Sequence, residues 1–180
     1  MKFLKKPLKI PRLSFLSLIF LFFLIAFLIF GFYSLFNDKE VRLSKQQREL
    51  VEQFGYPNTF ILAFGEMAVA GEYKPVRFEV WNYDRLGRRF YFVDGQFQKD
   101  ADIEFLENAH YPDLRPSQFS QNTSWEKVKK IIGTPPRAQA EIRPEIMEDT
   151  IVYDFWGQVK VAVKDDKLVY IQTYPVIVNE

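Results

Sequence analysis

The chain of 180 residues contains no cysteine and a single histidine. The missing thiols exclude disulfides, thiolate zinc sites, cysteine nucleophiles and an acylated cysteine anchor together. One histidine excludes a multi-histidine metal site. A serine relay is not signalled either, because no G-x-S-x-G elbow occurs, and His110, in Asn108-Ala109-His110-Tyr111-Pro112, reads as a solvated loop residue. Glycine is scarce, at eight residues, and Gly65 and Gly71 stand six apart without the Lys-Ser/Thr of a phosphate loop. Asp100, Asp102, Glu104 and Glu107 lack the D-x-D-x-D-G spacing of a calcium loop and read as a charged, solvated face. No catalytic residue, metal or cofactor is expected, so the chain does not read as an enzyme.

What is present in excess is apolar length. Residues 13–36, from Leu13 to Phe36, are 24 residues without a charge, and 18 of them are Leu, Ile or Phe. As a helix this run would cover roughly 36 Å, against a hydrocarbon core of about 30 Å. At ~0.4 kcal/mol per large apolar side chain, insertion would be favourable by about 7 kcal/mol. Lys2, Lys5, Lys6, Lys9 and Arg12 precede the run without an acidic residue, whereas Asp38, Lys39, Glu40 and Arg42 follow it. The expectation is a single-pass cell-membrane protein, with a cytoplasmic basic tail (1–12), a transmembrane helix (13–36) and an extracytoplasmic remainder. A cleaved signal peptide is the alternative, but the run is long for one, and bulky Phe32, Tyr33, Leu35 and Phe36 occupy the cleavage position.

Of the 24 Lys and Arg, five precede the run, and the 19 that follow meet 23 acidic residues, a net of −4. That balance argues against nucleic acid as a partner.

Two stretches share a pattern. Ser44-Lys45-Gln46-Gln47 has capping-box form and leads through Leu50, Val51 and Phe54 to Gly55-Tyr56-Pro57. Thr123-Ser124-Trp125-Glu126, read with Thr123 as the cap, leads through Val128, Ile131 and Ile132 to Gly133-Thr134-Pro135. Each helix is followed by alternating, β-branched or aromatic runs separated by turns: 59–64, 77–83, 88–93 and the Asp94-Gly95 hairpin in the first, and 150–156, 159–164 and 168–174 in the second. The fold class expected is α+β: the transmembrane helix, then two tandem helix-plus-antiparallel-meander repeats (44–98 and 123–175). Between them lies a linker (99–122), with a short helix around Asp102 to Asn108.

The segments Val128-x-x-x-x-Gly133-x-Pro135 and Leu50-x-x-x-x-Gly55-x-Pro57, the pairs Trp81-x-Tyr83 and Tyr153-x-Phe155, and the Val93-Asp94-Gly95 hairpin are similar to the SmpA/OmlA family. These are BamE-type outer-membrane assembly factors, and β-lactamase inhibitor protein carries the fold in tandem. The resemblance implies a protein-binding module, serving envelope assembly or inhibition of a secreted enzyme. The partners expected are another envelope or secreted protein, and the lipid bilayer through residues 13–36. A receptor domain for cell-wall glycan or a small ligand is the alternative.

Strand parity suggests the working surface. Phe78 and Val80 oppose Glu79, Trp81 and Tyr83; Phe90 and Phe92 oppose Arg89 and Tyr91; Val159, Val161, Val163, Val169 and Ile171 oppose Lys160, Lys164, Tyr170, Gln172 and Tyr174. One face suits a helix, and the other mixes Tyr and Trp with Arg and Lys. The candidate binding residues are Trp81, Tyr83, Arg89, Tyr91, Lys160, Tyr170 and Tyr174. Two readings of Trp81 and Tyr83 stay open, as contact residues or as core.

Overall fold

Helix α1 spans Lys45–Phe54 because its first turn is closed by side chains. Ser44 Oγ accepts from the Gln47 N–H at 3.1 Å, and Gln47 Oε1 accepts from the Ser44 N–H at 3.0 Å. This is the capping box that S-x-x-Q implies. Helix α2, Trp125–Ile132, is capped one residue later than the T-x-x-E pattern suggests. Ser124 Oγ accepts from the Lys127 N–H at 3.3 Å, while Thr123 Oγ1 accepts from the Ser120 N–H at 2.8 Å and so closes the preceding turn.

Both helices end at a glycine with positive φ, as the Gly-x-Pro pattern requires. Gly133 is left-handed at φ 76, ψ −6, whereas Gly55, at φ 79 and ψ −172, lies where essentially only glycine goes. A Cβ at either position would meet nothing within 4 Å, so any penalty is purely that of the backbone. Gly133→Ala is expected to cost about 1 kcal/mol and Gly55→Ala about 2–3 kcal/mol. Denaturant unfolding of the two variants checks the order.

The computed structural model describes Ile25 and residues 40–69, 71–106, 108–133, 141–142 and 150–177. Ten strands lie among them: β1 (Thr59–Val69), β2 (Glu72–Tyr83), β3 (Arg88–Val93), β4 (Gln96–Asp102), β5 (Ala109–His110), β6 (Glu141–Ile142), β7 (Ile151–Phe155), β8 (Val159–Lys164), β9 (Lys167–Thr173) and β10 (Val176–Ile177). Eight form one antiparallel sheet in the order β4-β3-β2-β1-β9-β8-β7-β6, and β5 pairs with β10. The seam between the halves is short, Ile61 to Ala63 against Gln172 to Tyr170. Thr173 reinforces it: its Oγ1 accepts from the Phe60 N–H at 2.7 Å.

The core lies on one face of this sheet. Phe60, Leu62, Trp81, Phe92, Val161 and Ile171 are fully or almost fully buried there, under Val128 of α2 and Phe119 of the intervening segment. Leu50 and Val51 of α1 and Trp125, Ile131 and Ile132 of α2 pack on the same cluster. Trp125 stacks on Tyr153 with ring centroids 4.0 Å apart.

Several expectations are corrected. The described chain is mostly antiparallel sheet with two short helices, and eight of its ten described strands share one continuous sheet rather than forming two separate helix-plus-meander repeats. Among the described residues no helix is long and apolar enough to cross a membrane, which conflicts with the spanning helix of the expected fold and the single-pass localisation built on it. Residues 13–36, on which that helix was expected, lie outside the described residues apart from Ile25.

The 99–122 linker is likewise no linker. β4 runs through Asp102 where a short helix was expected to begin, no helix forms over residues 103–106, and Phe119 is buried completely. All these elements belong to one compact unit, Glu40–Glu180.

Candidate interaction face

Strand pairing decides which side chains face away from the helices. Trp81 pairs with Phe90 and Phe60, and Glu79 with Phe92 and Leu62, so this row belongs to the core. Val80 pairs with Tyr91 and Ile61, and Tyr91 with Lys99. Across the seam Ile61 meets Gln172, which meets Lys160, which meets Asp154. The second row therefore runs across seven strands on the face opposite the helices.

Trp81 and Tyr83, two of the seven expected contact residues, are corrected to core. Trp81 is 0 % exposed, and its Nε1–H donates to Glu79 Oε2 at 3.0 Å. The Tyr83 hydroxyl donates to the Gly55 carbonyl at 3.0 Å, and burial pushes its pKa well above the usual tyrosine range. The other five, Arg89, Tyr91, Lys160, Tyr170 and Tyr174, do share the uncovered face.

Those five are held in place by neighbours on the same face. Arg89 Nε donates to Asn82 Oδ1 at 2.7 Å. Lys99 Nζ lies 4.9 Å from the Tyr91 ring centre, and Lys160 Nζ 5.6 Å from that of Tyr174. The Tyr170 hydroxyl donates to Gln172 Oε1.

Burial, reinforced by the neighbouring Tyr174 phenolate, pushes the Tyr170 pKa up to about 12. Because this exceeds the ordinary 10.0, the folded state holds that proton more tightly, and the stability it contributes is intact below pH 10 and lost as pH rises to about 12. Ultraviolet titration of tyrosinate is expected to show a phase near pH 12 that Tyr170→Phe removes, leaving the still later titration of buried Tyr83.

Apolar members of the face escaped sequence parity. Phe78 is 40 % exposed, and Val80, Ile61 and Val93 are half-buried around it. Both parities of β2 carry apolar residues, so only the partner strands assign them. At one end the face closes on buried Asp84, whose Oδ2 accepts from Thr59 Oγ1–H at 3.3 Å. Burial raises that carboxyl above the usual carboxylate range, with Thr59 and Arg89 partly offsetting it.

Clefts among the described residues lie elsewhere. One, of about 520 Å³, lies at the start of α1 and is walled by Arg42, Lys45, Arg48, Arg77, Glu79 and Asp94. Another, of about 440 Å³, is lined by Leu114, Ile131, Ile132, Phe155, Trp156 and Val159 among others. Trp156 is 55 % exposed in the β7–β8 turn at φ 57, followed by Gly157 at φ 73, the sign pattern of a type I′ turn. A left-handed conformation costs a bulky side chain about 1–2 kcal/mol.

Among the described residues no group of three His, Asp or Glu is placed to hold a metal. Comparison with known proteins finds no family model, no curated protein and no solved structure that matches the chain.

Proposed function

We propose that the protein is a protein-binding module whose contact surface is the uncovered face of its eight-stranded sheet. The observation that carries this is the composition of that face: Phe78, Tyr91, Tyr170 and Tyr174 interleaved with Arg89, Lys99 and Lys160 on one hydrogen-bonded platform. Aromatic residues and arginine are the types enriched at interface hot spots. Binding is favoured over catalysis because the buried carboxylates, Glu79 and Asp84, are both committed to internal hydrogen bonds. The similarity to the SmpA/OmlA family favours the same kind of role.

A photo-crosslinking residue at Phe78 or Tyr91 tests the proposal in the producing cell. A discrete adduct with another protein is expected from these positions and not from Lys130 on α2. Equal labelling from all three would overturn it.

A second reading, a receptor for glycan or a small ligand, draws on Trp156 alone. A strained, half-exposed indole beside an apolar cleft is the kind of platform on which a sugar ring stacks. Soluble oligosaccharides are then expected to change tryptophan emission in the parent chain and not in Trp156→Ala. An unchanged spectrum in both removes this reading.

A further inference from the structure

We infer that the partner presents an acidic protein surface to the uncovered sheet face; this rests on the protein-binding reading above. Arg89, Lys99 and Lys160 project from that face; among the described strand residues Asp154 is the one carboxylate in the rows that hold them, and the buried Asp84 carboxyl beside Arg89 closes one end. The rest of the chain has the opposite balance. Beyond the first 12 residues acidic groups outnumber basic ones by four, so these cations belong to a sequence of net negative charge.

β4 makes the sorting explicit. Asp100 and Asp102 turn to the helix side, where Arg88 pairs with both, and Lys99, just before them, turns the other way. None of the ion pairs between described residues uses Arg89, Lys99 or Lys160. A partner that covered these cations without supplying carboxylates would strip their water uncompensated.

Geometry sets the kind of partner. Lys99 on β4 and Lys160 on β8 are five strand steps apart, about 24 Å at the usual ~4.8 Å spacing. That separation demands a broad acidic surface rather than a single small anion. A single-stranded nucleic acid fits less well. It needs open ring faces for base stacking, yet ammonium groups lie over Tyr91 and Tyr174.

The test is fluorescence anisotropy of the full-length chain with labelled poly-L-glutamate, and with labelled oligothymidylate for comparison. The parent is expected to bind polyglutamate, and more weakly as salt rises. Lys99→Gln with Lys160→Gln should weaken binding about tenfold or more, whereas Lys45→Gln with Lys130→Gln, on the helices, should change it less than about twofold. Circular dichroism confirms that both doubles are folded.

Equal affinity of parent and K99Q/K160Q, or tighter binding of oligothymidylate, would overturn the inference. If polyglutamate does not bind but Phe78 still crosslinks to a discrete protein, the acidic chemistry is wrong and the binding face stands. If neither occurs, both fall.

Discussion

Glu79→Ala is expected to lower the unfolding free energy by about 3–5 kcal/mol, the range for breaking a buried ion pair from one side. Glu79 is a carboxylate 3 % exposed on the helix side of β2, with three donors converging on it. Gln47 Nε2 donates to Oε1 at 2.8 Å, and Trp81 Nε1 and Arg77 Nη2 donate to Oε2 at 3.0 and 3.1 Å. Arg77 Nε also lies 3.0 Å from Oε1, an ion-pair contact whose N–H does not point at the oxygen and so adds attraction without a further hydrogen bond.

Arg77 in turn donates to the carbonyls of Phe119 at 2.7 Å and Pro116 at 2.8 Å. One carboxylate thus joins α1, β2 and the segment that crosses the core. Removing it leaves a guanidinium whose side chain is only 13 % exposed without its counter-charge. Glu79→Gln keeps an acceptor and should lose less. Urea unfolding of both variants measures the difference, and a loss below about 1 kcal/mol for Glu79→Ala would show the network to be dispensable.

Trp81→Ala should cost a comparable 3–5 kcal/mol, because a fully buried indole leaves a large cavity as well as lost transfer energy. Its ring packs against Phe92 with centroids 5.1 Å apart, inside the cluster that both helices cover. Tyr91→Ala, one residue away across the β2–β3 pairing but on the other face, should cost less than about 1 kcal/mol, mainly the contact with Lys99. Made separately, the two variants divide fold from function: the first unfolds the protein without informing on binding, and the second loses the partner at nearly unchanged stability. Thermal melts with the crosslinking assay read both. A stable Trp81→Ala would place the indole outside the core after all.

Local features were legible because their causes are local. Ser44 with Gln47, Gly55, Gly133, and the turn residues Asp94-Gly95 and Asp165-Asp166 each set backbone conformation within a few residues, and each lies where its chemistry predicts. Strands β3 and β8 have the bounds that their alternation implies. Capping of α2 was misread because Thr123 and Ser124 are both competent caps, and the choice depends on Thr123 being engaged by the turn at Ser120.

The start of α1, the glycine ends of both helices, the turns, most strand positions and, within any one strand, which residues share a face are all written in local sequence. Tertiary structure decided which face is which. Period-two alternation is blind to the sign of the face, and β2 offers Phe78 and Val80 on one parity and Trp81 and Tyr83 on the other. The choice came from pairing Trp81 with Phe90 and Phe60, and from a helix whose Gln47 reaches the Glu79 carboxylate on the same face. For the same reason the joining of the two halves could not be read along the chain: the seam is three residue pairs separated by more than a hundred positions, and no local pattern encodes so distant a partner.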